Sequence, residues 1–262
     1  MAMKLKSSNQ MQIFLRALLI RLVMLAIILI VDNGMEKAFM GATTYFDDYR
    51  YELGGEAYAV TAKSLVDIDA FVKAYASVGD WVGYHFLENP LEASPLWYWI
   101  VSILFYITRS YISVRIFNVI ISSIAVVYVY KFADLVYGKR IAVKATTLLT
   151  FMPYPVVFSC FGYKDSLIML VTFYLLYCAV KYRKSHSLKV SEVILILLGS
   201  ICLLFIRGGL SALLILICLV IAFGDVIRGK LNRKTFIAGI FLIIIAVVFF
   251  IKSYSTCLLY TS

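Results

Sequence analysis

Seven apolar stretches, at about 11–31, 112–130, 141–159, 166–182, 190–206, 210–226 and 235–251, constrain this chain more than any other feature. At 1.5 Å of rise per residue, roughly 17–21 residues of helix cover the ~30 Å hydrocarbon layer. Inside lipid every peptide N–H and C=O must find its partner within the protein, and a helix does so within one segment. The expected fold class is therefore all-α, a polytopic transmembrane helical bundle of about seven spanning helices. Hydrophobic residues make up 63% of the chain and charged residues 15%, a balance that excludes an ordinary soluble domain. Residues 11–31 are too long for the apolar region of a cleaved signal and lack a small-residue cleavage site, so a retained first span is expected.

The net charge of +10 is unevenly spread. Residues 32–94 carry eleven acids against four bases, a net of −7, which leaves +17 for the remainder. Lys and Arg collect in cytoplasmic loops, so this asymmetry reads as topology, and no nucleic-acid partner is expected. Basic clusters at Lys131/Lys139/Arg140/Lys144, Lys181/Arg183/Lys184/Lys189 and Arg228/Lys230/Arg233/Lys234 join Lys4, Lys6 and Arg16 on one side. The N-terminus is then cytoplasmic and 32–110 forms a long extracytoplasmic loop with juxtamembrane helices. That parity requires the shorter apolar run 96–107 not to cross. Its aromatic start, Pro95-Leu96-Trp97-Tyr98-Trp99, suits a helix lying on or dipping into the outer leaflet. Ile68, Phe71, Val72, Tyr75 and Val78 recur at helical spacing, a face expected to rest on the membrane interface. Gly54-Gly55 is expected to interrupt any helix starting at Asp47.

Four of the five cysteines (Cys160, Cys178, Cys202, Cys218) lie in or beside apolar segments and read as small buried hydrophobes. His85 and His186 are too few and too separated for a metal site or a general base. Cys257 through Ser262 read like a translated sequencing adapter. The expectation is one truncated membrane module over 1–256, followed by six extraneous residues at 257–262.

The inferred topology gathers four charged features on the outer face. They are Asp47-Asp48-Tyr49-Arg50-Tyr51, the pair Arg109 and Arg115, the turn Lys164-Asp165 after Pro153-Tyr154-Pro155, and Arg207-Gly208-Gly209. An ionised Arg at the centre of a spanning helix costs roughly 2.5–3.5 kcal/mol, so charges this close to lipid have partners or a task. Bland readings exist for each: a solvated carboxylate, a capped turn, a snorkelling arginine. Arg21, about ten residues below Val31, resists the snorkelling account, and the sequence assigns it no role. Carboxylates at the surface with cations converging on them suit chemistry on a lipid-linked anion.

In this order the motifs resemble the GT-C class of membrane glycosyltransferases, particularly the family-39-like branch of protein O-mannosyltransferases and lipid A aminoarabinose transferases. Asp47-Asp48-Tyr49-Arg50-Tyr51 is similar to an Asp-Glu-x-Arg-Tyr motif early in that family's first external loop, with Asp48 in place of Glu. Pro95-Leu96-Trp97-Tyr98-Trp99 resembles its proline-and-aromatic element, and Arg115 an arginine opening the next span. Gly138-Lys139-Arg140 resembles a cytoplasmic turn, Asp165 an aspartate after a proline-terminated span, and Arg207-Gly208 a Lys-Gly between later spans. The basic residue often found before the proline-aromatic element is missing, with Glu92 and Ser94 standing there.

The resemblance implies an inverting glycosyltransferase that takes a sugar from a polyprenyl-phosphate donor. The acceptor would be a cell-envelope lipid, glycan or protein, with membrane lipids around the site. Its catalytic acids would be Asp47, Asp48 and Asp165, with Asp47 as base; Arg50, Arg115, Lys164 and Arg207 would bind the lipid phosphate. Some members of the class use a divalent cation at paired acids and others do not, and the residues leave that open. A truncated chain would be inactive as given. A transporter or lipid-linked oligosaccharide flippase is the rival reading, and it predicts ionisable residues near the midplane in repeated halves. A non-catalytic membrane subunit is the third, and it tolerates loss of Asp47.

Overall fold

Tyr111–Tyr137 is the spanning helix most enclosed by protein, and its neighbours define the architecture. The computed structural model describes residues 2–34, 47–79 and 95–227, and all regular structure among them is helical. In chain order the helices are α1 (Ala2–Gly34), α2 (Asp47–Thr61), α3 (Ile68–Ser77), α4 (Leu96–Thr108) and α5 (Tyr111–Tyr137). They continue with α6 (Lys139–Phe151), α7 (Pro153–Phe158), α8 (Asp165–Ser185), α9 (Val190–Ile206) and α10 (Gly208–Ile227). Helix α5 packs on α8, α6, α1 and α4, while α9 and α10 pack on α8.

Among the described residues, three helices are long and apolar enough to cross a membrane: Asn9–Val31, Tyr111–Tyr137 and Asp165–Ser185. Leu96–Thr108, Val190–Ile206 and Leu213–Ala222 are shorter apolar helices, and the stretch 235–251 lies outside the described residues. The expected span at 141–159 is divided. Met152 is extended (φ −63°, ψ 122°) because Pro153 follows it, and the Pro ring disfavours helical backbone in the preceding residue. Helix α1 buries Ala17, Arg21, Leu25 and Ile28 and exposes Met11, Leu15, Leu19, Leu22 and Ile30, one apolar face for protein and one for lipid. Arg21, wholly buried, donates to Ser122 Oγ at 2.9 Å and to the Ala17 carbonyl at 3.3 Å.

Helices α2, α3 and α4 form a layer at the end of the bundle where α5 and α8 begin. Leu203 and Ile206 at the end of α9 share one apolar cluster with Tyr51, Trp97, Val114 and Leu167. The layer and the bundle therefore have a continuous core, and Arg207, which follows α9, stands at this end too.

Three local expectations change here. First, α2 runs unbroken through Gly54 and Gly55. A Cβ on Gly54 would meet the Tyr75 ring at 2.0 Å, and one on Gly55 would meet Phe105 at 2.7 Å. The glycines let α3 and α4 approach α2, and that packing outweighs roughly 1 kcal/mol of lost propensity per glycine. Second, the apolar face of α3 packs on protein: Phe71 stacks on Trp99 at 4.1 Å, Tyr75 meets Tyr98 at 4.9 Å, and Ile68 is left exposed. Third, Trp97 is fully buried and donates through Nε1 to the Gly162 carbonyl at 2.9 Å. An indole can leave the headgroup level once its N–H has such a partner.

Helix α3 is set by Asp67, whose carboxylate accepts from Ala70 N at 3.0 Å and Lys63 N at 3.1 Å. The Tyr58 hydroxyl accepts from Asp67 N and donates to the Leu65 carbonyl, each at 3.0 Å, so α2 carries the start of α3. Because the Tyr75 ring occupies the space beside Gly54, Gly54→Ala should overpack the layer by about 1–3 kcal/mol. Thermal melting of the detergent-solubilised chain reads this as a lowered midpoint; an unchanged midpoint would mean that the α2–α3 contact yields freely.

Candidate active site

The first turns of α2 stand over a buried non-helical turn. After α7 the chain passes through Ser159, Cys160, Phe161 and Gly162, all buried, before Tyr163 and Lys164 lead into α8. Two proline-started turns of helix and a reversal of direction leave these carbonyls without helical partners. Asn118 Nδ2 donates to the Phe161 carbonyl at 2.5 Å and to the Tyr163 carbonyl at 2.8 Å. Trp97 takes the Gly162 carbonyl between them. Gly162 has no side chain to hold α2 away: a Cβ there would lie 3.4 Å from Glu52 Oε1 and 3.7 Å from Asp48 Cβ.

Asp48 and Glu52, four residues apart, project from one face of α2 towards Arg115 of α5. Arg115 Nε lies 3.1 Å from Glu52 Oε1 and Nη2 lies 3.3 Å from Oε2, a two-point ion pair. Its guanidinium also covers the Tyr111 ring at 4.6 Å and the Phe161 ring at 5.6 Å. Burial pushes the Asp48 carboxyl above its ordinary value; a hydrogen bond from the Tyr163 side chain and the Arg115 charge oppose that rise.

Asp48 and Arg115 therefore come together, whereas Lys164 lies one helical turn along α2, its Nζ 6.0 Å from the centre of the Tyr51 ring. Asp47 is the first residue of α2, and its side chain lies outside the described residues. Arg50, two residues from Asp48 and so about 200° around the helix, has no hydrogen bond or ion pair with a described residue. Asp165 is exposed in the first turn of α8, and Arg207 is exposed at the end of α9. Among the described residues no three His, Cys, Asp or Glu side chains come together as a metal site would require.

Sequence reasoning missed Glu52, Tyr163, Gly162 and Asn118. The i, i+4 spacing of Asp48 and Glu52 was a readable signal that both serve one face. Nothing in the sequence could pair Glu52 with Arg115, sixty-three positions away.

The family described as dolichyl-phosphate-mannose-protein mannosyltransferase matches residues 92–252. The chain belongs to that family. No curated protein and no solved structure matches it. Membership makes it a membrane glycosyltransferase, and the family implies mannosyl transfer from a dolichyl-phosphate-linked donor. Arg115, Lys164, Asp165 and Arg207 fall within the matched residues, whereas α2 and its acids precede them. Helix α2 meets the matched region through its apolar packing on α4 and through the ion pair between Glu52 and Arg115.

Both partners of that pair are mostly buried, with side-chain exposures of 7% for Arg115 and 15% for Glu52. Glu52→Gln should therefore strand a cation and cost on the order of 3 kcal/mol. Arg115→Met combined with Glu52→Leu should recover much of that loss in thermal melts. If the paired replacement costs as much as the two single replacements added together, the two side chains act independently.

Proposed function

We propose that this mannosyltransferase-family chain transfers a sugar, with inversion, from a polyprenyl-phosphate carrier to a hydroxyl of a cell-envelope acceptor at the extracytoplasmic face. Because the family is described as acting on protein, a Ser/Thr-containing peptide is the first acceptor to test. The reading takes the chain to cross about seven times. Its orientation is supported by the separation of charge: Lys139, Arg140, Lys184 and Lys189 flank the ends of α5 and α8 remote from Asp48.

The observation that carries the proposal is the cluster of Asp48, Tyr163, Arg115 and Glu52, which fixes the acidic first turn of α2 beside the charged turn before α8. In the proposed reaction the acceptor oxygen bonds to the anomeric carbon as the bond from that carbon to the phosphate oxygen breaks. Attack opposite the leaving group inverts the centre. Asp47, on the turn that Asp48 anchors, takes the hydroxyl proton. Lys164 and Arg207, with Arg50, receive the developing phosphate charge. Arg115, engaged by Glu52, serves as the electrostatic partner of Asp48, and Asp165 is the second acid facing the acceptor.

Transfer of labelled mannose from dolichyl phosphate mannose to the peptide, in membranes carrying the chain in its full-length form, tests this. Asp47→Asn should lower the rate by about 10²–10⁴-fold; a rate near that of the unmodified protein would remove Asp47 as base. The pH profile tests Asp48. Its carboxyl holds a proton to higher pH than an ordinary aspartate, and on protonation it loses its attraction to Arg115. The acid limb of kcat/KM should therefore lie at higher pH than an ordinary aspartate would give, and Asp48→Asn should abolish that limb. A limb that persists in Asp48→Asn belongs to another group.

A further inference from the structure

Asn118 is fully buried about 10 Å along α5 from its start, one turn beyond Arg115, and no step of the proposed reaction uses it. Both N–H bonds of its amide are committed to the carbonyls of Phe161 and Tyr163. Its Oδ1 is buried with no hydrogen-bond partner among the described residues. A buried acceptor without a partner is unfavourable, so the position is occupied for its donors and not for general polarity. Those donors grip the carbonyls of the residues on either side of Gly162, which lies against Asp48 and Glu52. One of the gripped residues is Tyr163, whose side chain hydrogen-bonds the Asp48 carboxylate.

We infer that Asn118 is a positioning residue of the transferase, acting through Tyr163 to hold the Asp48 carboxylate, and with it the first turn of α2, in its working place. This rests on the proposed role of that turn in sugar transfer. The chain of contact is continuous: α5 backbone, Asn118 amide, Tyr163 backbone, Tyr163 side chain, Asp48. Arg115, on the same helix, ion-pairs with Glu52 and acts on Asp48 through its charge. Helix α5 thus fixes α2 twice, once by charge through Arg115 and once by neutral hydrogen bonds through the turn. The groups facing Asp48 are Arg115 from α5, Tyr163 from the turn and Glu52 on its own helix; α4 contributes Trp97, which carries no charge.

A double-mutant cycle in the full-length enzyme tests this. Tyr163→Phe removes only the side-chain hydroxyl and leaves the turn's carbonyls with Asn118. It should lower kcat and move the acid limb to higher pH, because the carboxylate loses a hydrogen bond that favours its charged form. Asn118→Ala should lower kcat by about 10- to 100-fold, the scale of a misplaced reacting group, and move the limb in the same direction. The combination should fall within about twofold of the worse single variant. Multiplicative losses, or an Asn118→Ala limb unmoved while kcat falls, would overturn the inference and leave Asn118 a structural residue only. If Asn118→Ala does not fold, Asn118→Gln, which keeps the amide on a longer arm, supplies the same cycle with the same two outcomes. Asp47→Asn run alongside separates the failures: an active Asp47→Asn overturns the base assignment, whereas additivity with an inactive Asp47→Asn overturns only the role of Asn118.

Discussion

A run of non-helical backbone buried inside a membrane bundle is tolerated only if side chains satisfy it, and the segment between α7 and α8 meets that condition with two residues. Asn118 and Trp97 take three successive carbonyls, from Phe161 to Tyr163. Without those donors each carbonyl would be a lone acceptor in a low-dielectric interior, a state costing about 1–3 kcal/mol apiece. The rest of the site follows from this turn. Gly162 admits α2, Tyr163 reaches Asp48, and Lys164 comes out beside Tyr51. Trp97 also connects this turn to α4, so the outer layer and the bundle share a single mechanical seat.

The long hydrophobic helices were legible because lipid leaves the backbone so few alternatives. Asn9–Val31, Tyr111–Tyr137 and Asp165–Ser185 coincide with the stretches read at 11–31, 112–130 and 166–182. The break at Met152 was not drawn, 141–159 being read as one span, although Pro153 restricts the residue before it whatever surrounds it. What sequence reasoning missed in the outer layer was tertiary. Local propensity makes Gly54-Gly55 a break, yet the Tyr75 and Phe105 rings turn the pair into a contact surface. The periodicity of α3 identified an apolar face correctly but could not say whether lipid or Trp99 would cover it.

The candidate site divides in the same way. Asp48, Arg115 and Lys164 were singled out because a charge beside lipid is conspicuous and because their order resembles that of a family, and the structure brings the first two together. Gly162 and Asn118 have no such visibility: a glycine in a turn and an asparagine in an apolar run look ordinary until the partner carbonyls are known. Glu52 is a different case. It was visible as an acid, and its helical spacing from Asp48 was readable, but it was one among eleven in a loop where solvation explains most carboxylates. Only the arginine from a distant helix singles it out.

Arg21 shows why burial of a charge needs its own account. Its guanidinium lies wholly inside the protein between α1 and α5, yet its hydrogen bonds are to a serine hydroxyl and a carbonyl, and Nη2 has no partner among the described residues. Arg115, by contrast, is buried with a carboxylate gripping it at two points. A guanidinium with neutral partners is held less tightly than an ion pair, because the low dielectric that strengthens a paired charge penalises an unpaired one. The difference matches their places in the fold: Arg115 locks the acidic helix α2 onto the bundle. Arg21 joins two spanning helices one helical turn beyond Asn118, where Ser122 follows it on α5 and the Cys160 thiol donates to the Arg21 carbonyl. The polar groups between α1, α5 and the turn thus form a continuous seam, with the strongest electrostatic contact at the end facing α2. The carboxylate–guanidinium pair thus stands where the seam meets α2, and at its other end the Arg21 guanidinium has only neutral partners among the described residues.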